Sequence, residues 1–164
     1  MAQELAGGDG DVCHICLEAS PPPMQSGCAC RGAAGLAHVR CRAQAARALQ
    51  GNKGWQMWWE CQTCLQCFMG GMLTGLANAW WSEVGDRAEE DAERLAAAHN
   101  LANSLSRQGK YAEAEQMERE VLAVRTRVLG AEDPDTLAAA GNLAASLFWQ
   151  GKHTEAEKMQ REVL

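Results

Sequence analysis

Four close-set pairs of metal-ligating residues in the first 67 positions, and a 42-residue repeat beginning at Leu95, predict the fold class. It is a small zinc-stabilised α+β finger followed by an all-α helix-turn-helix repeat solenoid. The composition allows this. The chain has 164 residues, 47% hydrophobic and 22% charged, which is globular rather than disordered and enough for one ordinary domain or two small ones. Its net charge of −6 removes the electrostatic reason to expect nucleic-acid binding. No apolar run reaches the ~18–20 residues of a membrane span. The N-terminal MAQELAGGDGDV is acidic and has no apolar stretch, so no secretory signal is expected and a cytoplasmic location is.

All eight cysteines fall between Cys13 and Cys67. Eight could pair as disulfides, but without an export signal the spacing argues for metal. It runs Cys13-x2-Cys16, eleven residues, Cys28-x-Cys30, seven residues, His38-x2-Cys41, nineteen residues, Cys61-x2-Cys64. Zinc takes four thiolate or imidazole ligands in a tetrahedron, and a two-residue gap lets one loop offer two of them. Eight ligands imply two zinc ions. With every position filled by protein, no site is open to water or substrate, so the zinc is expected to be structural. No GxSxG, P-loop or HExxH occurs. Cys67 is left over as a free thiol. His14, inside the first pair, reads as an exposed loop residue.

Four cysteines, one histidine and three cysteines is the ligand order of both plant-homeodomain and RING-CH fingers. The one-residue gap at Cys28-Ala29-Cys30 and the seven-residue gap to His38 favour RING-CH, and residues 12–68 resemble that family. The resemblance implies an interleaved cross-brace. Cys13, Cys16, His38 and Cys41 would hold one ion, and Cys28, Cys30, Cys61 and Cys64 the other. It also implies a RING-type ubiquitin ligase, which binds a ubiquitin-conjugating enzyme and catalyses by positioning. The family's contact with that enzyme includes an apolar residue just before the second cysteine, here Ile15. Two positions depart from the pattern. Ala45 stands where the family often has Trp, and Leu65 where many RING ligases have Arg or Lys. Trp55, Trp58 and Trp59 could serve the groove or the core. The alternative is a non-catalytic interaction adaptor.

Residues 69–94 read as a packed helical connector. Phe68, Met69, Met72, Leu73, Leu76, Ala79 and Trp80 fall at roughly helical spacing, with Gly70, Gly71 and Gly75 allowing a bend or a close approach. An interfacial membrane helix is the competing reading. The acidic cluster Glu83–Glu93 suits a solvated helix start.

Residues 95–122 and 137–164 align without gaps and share 20 of 28 positions, so each unit is expected to repeat the same local structure. Leu95, Leu101 and Leu105 line a first helix expected over Ala92–Arg107, and Gly109 breaks it. Ala114, Met117, Val121, Leu122 and Val128 line a second, expected over Tyr111–Leu129 and ended by Gly130. Asp133 or Asp135 then caps the next helix beside Pro134. A helix pair repeating at this length means a solenoid. The residues NLA..L..QGKY.EAE and LG.EDPDTL resemble the tetratricopeptide repeats of kinesin light chains over 95–164. Leu164 falls inside a second helix, so a truncated sequence is expected.

In that family the first helices line a concave groove that takes protein or peptide partners. Four of the eight differing positions lie there: His99 against Gly141, Asn103 against Ala145, Ser106 against Phe148, and Arg107 against Trp149. Their offsets place them on one helical face. The expected peptide groove comprises Asn100, Asn103, Arg107, Asn142, Phe148 and Trp149, with the two aromatic residues as anchors. Phe148 and Trp149 could instead meet a missing third repeat. His99 and His153 read as solvated helix residues.

Overall fold

The structure, a computed structural model, describes residues 10–163. Most of the N-terminal stretch considered for an export signal, and Leu164, lie outside the described residues. The chain forms two compact units, divided between Ser82 and Glu83.

In the first unit, strand β1 (Met24–Gln25) pairs antiparallel with β2 (Leu36–Ala37), Met24 opposite Ala37. Helix α1 (Val39–Lys53) follows, then a 3-10 turn over Trp55–Trp58, then α2 (Gly70–Val84). Two-residue strands bury little, so the apolar interior comes from elsewhere. Trp58 and Trp80 stack face to face, centroids 5.3 Å apart and planes 1° from parallel. Trp55 and Trp59 flank Trp80 at 6.3 and 6.1 Å. Trp58 Nε1–H donates to Gln50 Oε1 at 2.8 Å, so the buried indole keeps its hydrogen bond. Arg47 lies over the Trp58 ring and Arg42 over Phe68, at 5.2 and 5.3 Å.

Within the apolar stretch, Phe68, Met72, Leu73, Leu76 and Trp80 are buried. Ala77 joins them, whereas Met69 is exposed and Ala79 half-buried. Gly75 is required for this packing. A Cβ there would lie 2.6 Å from Val39 Cγ2, inside any van der Waals contact, so α2 can come this close to α1 only with glycine. No helix among the described residues is long and apolar enough to cross a membrane.

The second unit holds α3 (Ala92–Arg107), α4 (Tyr111–Leu129), α5 (Pro134–Trp149) and α6 (His153–Val163). Asp91 caps α3 by accepting from the Arg94 N–H at 2.8 Å. Asp133, rather than Asp135, caps α5, accepting from the Asp135 N–H at 2.9 Å with Pro134 in the first turn. Gly109 at φ +78° and Gly130 at φ +95° end the first two helices in conformations other residues resist. Successive helices pack on one another, and Leu143, Leu147 and Ala156 form a core with Leu122 and Met159 against it.

Candidate metal centres and repeat surfaces

The Cys13–Cys16 and Cys61–Cys64 segments fold into the same turn. Leu17 N–H donates to Cys13 O, and Leu65 N–H to Cys61 O, each at 2.8 Å. The residue after the second cysteine is left-handed in both, Leu17 at φ +64° and Leu65 at φ +57°. A leucine there costs on the order of 1 kcal/mol and persists only where the surroundings fix the turn. The turns aim pairs of sulfurs inward. Cys13, Cys16, His38 and Cys41 gather in one group, and Cys28, Cys30, Cys61 and Cys64 in the other. The first and third pairs in sequence therefore meet, as do the second and fourth.

Within each group the ligand atoms all lie within 4.8 Å of one another. Cys16 Sγ and Cys41 Sγ are 3.4 and 3.7 Å from His38 Nδ1, and Cys30 Sγ is 3.7 Å from Cys61 Sγ. Zinc bonds of 2.0–2.3 Å in a tetrahedron separate neighbouring ligand atoms by about 3.6–3.8 Å, so these donor sets fit one ion each. His38 Nε2 is 2.5 Å from Pro21 O. A carbonyl only accepts, so Nε2 carries the proton and Nδ1 turns its lone pair to the sulfurs. His14 takes no part: it is half-buried, with Nδ1 2.6 Å from Leu36 O. Cys67 is exposed and outside both groups.

The thiols divide electrostatically. Burial raises Cys13, but the backbone N–H groups of Cys16, His38 and Ile15 outweigh it and lower the thiol to about 6. Cys64 also falls to about 6, where backbone donors at Gln66 and Ala29 outweigh burial. Burial and the neighbouring sulfurs push Cys41 up to about 11 and Cys30 to about 12. A crowded thiol group cannot shed all its protons without a cation among the sulfurs. Both groups could thus hold a metal ion.

Ile15, on the first turn, is 39% exposed, and Leu17 and Leu65 are exposed beside the cysteines they follow. Ala45 is half-buried on α1. Trp58 is buried, and Trp55 and Trp59 both pack on Trp80.

In the second unit, Glu115 of α4 is held by Lys152 Nζ at 2.6 Å, Gln150 Nε2 at 2.7 Å and Arg119 at 2.9 Å. Lys152 chiefly, with Gln150 and Arg119 and against the effect of burial, holds its carboxyl down to about 2. The Gln-Gly-Lys turn of one repeat thus grips the Glu-Ala-Glu segment of the repeat before it. Arg119 also reaches Glu155. Across the first helices, His99 Nε2 meets Asn142 Nδ2 at 3.2 Å and Ser106 Oγ meets Ser146 Oγ at 2.9 Å.

These contacts revise the expected groove. His99 is half-buried and bonded rather than solvated. Asn100 is only 7% exposed, so its amide does not face a ligand, and Asn142 is engaged with His99. Asn103 and Arg107 are exposed and bond each other at 3.4 Å. Trp149, 65% exposed, lies 6.4 Å from Tyr111 with its ring plane 18° from parallel. Phe148, 51% exposed, sits edge-on to Trp149 and His153 at 5.5 and 4.8 Å. The sequence reading missed Tyr111 and His153 as members of this aromatic cluster. They are contributed by the starts of α4 and α6, which a single-helix periodicity does not connect.

A tetratricopeptide-repeat family model matches residues 94–135 and 136–164. Residues 94–164 are thus similar to tetratricopeptide repeats. This class of repeat supports a protein-interaction role. Among solved structures, the chain is similar to nearly identical TPR-like repeats of a Podosopora anserina protein assigned as a kinesin light chain. The match has 24% identity and a TM-score of 0.49, covering 76% of this chain and 53% of that one. A singly substituted form of the same repeats matches at 23% identity and a TM-score of 0.49, covering 76% and 52%. The chain thus spans about half the length of these structures. No curated protein matches the chain.

Proposed function

We propose that the protein is a RING-type ubiquitin ligase of the RING-CH kind, built on two structural zinc ions, whose tetratricopeptide repeats recruit the substrate or partner. The interleaved grouping of the eight cysteine and histidine ligands is the observation that carries this reading. Zinc would be held by Cys13, Cys16, His38 and Cys41 and by Cys28, Cys30, Cys61 and Cys64. It supplies rigidity, not reactivity, because all four positions at each ion are taken by protein. Ile15, apolar and exposed on a turn that the metal would fix, suits contact with a conjugating enzyme. A peptide partner would lie along Asn103, Arg107, Phe148 and Trp149, the expected groove residues that remain exposed.

Discharge of ubiquitin from a charged conjugating enzyme onto free lysine tests the ligase reading. Acceleration by the zinc-loaded protein is expected, and Ile15→Ala should reduce it about 5- to 30-fold with zinc content unchanged, the cost of one buried apolar contact. Absence of acceleration across a panel of conjugating enzymes would reject it. A non-catalytic adaptor would then remain. Ala45 favours that second reading: the Trp often found there is missing, Trp58 is buried against Trp80, and Trp59 and the exposed Trp55 also contact Trp80.

A further inference from the structure

The contact between the two repeats contains a histidine. His99 of α3 meets α5 through Asn142, whose Nδ2 lies 3.2 Å from the imidazole Nε2. Its Nδ1 is buried and has no hydrogen-bond partner among the described residues. A neutral imidazole donates from one nitrogen and accepts at the other, whereas the cation donates from both. Whichever way the Asn142 amide is turned, the cation would leave Nδ1–H buried without an acceptor. Charged neighbours add to this. From α4, the buried Arg125 donates from Nη1 to Asp135 O at 2.8 Å, so a positive charge already stands at this junction. From α5, the Asp135 carboxylate offsets it in part. Burial chiefly, then Arg125, and against Asp135, hold the imidazole below its ordinary value. The far end of α5 is fastened by groups that keep their charge. Ser106 and Ser146 bond as neutral hydroxyls at 2.9 Å. Glu115, held down to about 2, keeps its bonds to Gln150 and Lys152 across the range where histidine titrates.

We propose that His99 is a pH-sensitive latch between the repeats: neutral, it holds α5 against α3 at Asn142, and protonated it releases that contact while the Glu115 grip keeps the C-terminal end of α5 in place. Gly141 stands at the equivalent position of the second repeat, so the latch belongs to this junction and is not a general feature of the repeat. The closed junction keeps the imidazole neutral, and an open one lets it titrate as a free histidine. The stabilising contribution is therefore complete above about pH 6.5. It is lost as pH falls below that value, and levels off once the closed form also takes up the proton. Acid thus opens the Asn142 part of the α3–α5 contact and leaves the Gln150 end as the hinge. The latch is independent of the ligase reading and of any peptide partner.

Hydrogen exchange of the α3 and α5 amides, corrected for the intrinsic rate, tests this on the zinc-loaded full chain at about pH 7.5 and about pH 5.5. The comparison is with His99→Gln, whose neutral amide does not titrate and which suits a helix at least as well. Glu118, buried on α4 and bonded to Ser146, also responds to pH, but it is common to both chains. So is any loss of zinc in acid. The opening equilibrium of the protein relative to the variant is expected to rise several-fold from the higher pH to the lower, with about tenfold as the limit for one histidine kept neutral in the closed state. An NMR titration of the unaltered protein should show the His99 imidazole ionising below the free-histidine value, which decides the matter even where the variant fails to fold. A relative opening that does not change with pH, or a His99 that titrates at or above the free value, would overturn the proposal.

Discussion

Glu118 is the residue whose surroundings least suit its charge. It lies on α4, 2% exposed, and its Oε2 has no hydrogen-bond partner. Burial pushes its carboxyl up to about 7, with the Ser146 hydroxyl working against that and the Glu115 carboxylate adding to it. The folded protein therefore holds a proton that the unfolded chain releases near pH 4.5. Stability should fall as pH rises from about 4.5 to about 7 and then level off, because the ionised form must be buried without a cation. The second repeat has Gln160 at the equivalent position, a residue of the same shape without the charge. Glu118→Gln is thus expected to stabilise the protein at pH 8 by on the order of 1–3 kcal/mol and to do little at pH 4.5. Urea denaturation at the two pH values measures this, and equal effects at both would show that the burial cost is not electrostatic.

Among the elements, α2 makes the sharpest case for packing over propensity. In an exposed helix Gly75→Ala would stabilise by up to about 1 kcal/mol. Here the added methyl meets Val39 at 2.6 Å, and overpacking of this kind costs about 1–3 kcal/mol. A lower melting temperature for Gly75→Ala is expected, and a higher one would mean that α2 does not press on α1. Helices α3 and α4 run over the residues their apolar spacing indicates, because Gly109 and Gly130 mark their ends and Asp91 their beginning. The ligand pairs were equally legible, since gaps of one or two residues are local. Helix α1 was not read from the sequence: its Ala, Arg and Gln pattern has only a weak apolar stripe, with Cys41, Ala43 and Ala46 buried. Nor were the Trp58–Trp80 stack and the Glu115–Lys152 grip, which join residues 22 and 37 positions apart. Local periodicity carries no information on such pairs. The burial of Asn100 escaped notice for the same reason, as its counterpart Asn142 is only half-buried.

At the scale of the molecule, the first unit has too little regular structure to explain its own order. Its strands are two residues each, and its apolar interior is largely one aromatic stack and one helix face. A unit of this size rarely gains more than a few kcal/mol from its core, whereas structural zinc supplies on the order of 10–16 kcal/mol in small fingers. Because the two ligand groups alternate along the chain, the segment from Cys28 to Cys41 contributes to both, and loss of an ion from either group would loosen the loops that form the other. Two zinc ions per chain are therefore expected by metal analysis. Chelation should release both together and red-shift tryptophan emission as Trp58 and Trp80 become hydrated. Mild acid should do the same, since protons compete with zinc for the thiolates. Cys28→Ser removes a ligand from the second group only, yet cooperative loss requires the first group to weaken as well. Metal titration of that variant should show the remaining ion bound at least tenfold more weakly than in the unaltered protein. Full-affinity binding of one ion by Cys28→Ser would mean that the two centres, though interleaved in sequence, are energetically independent.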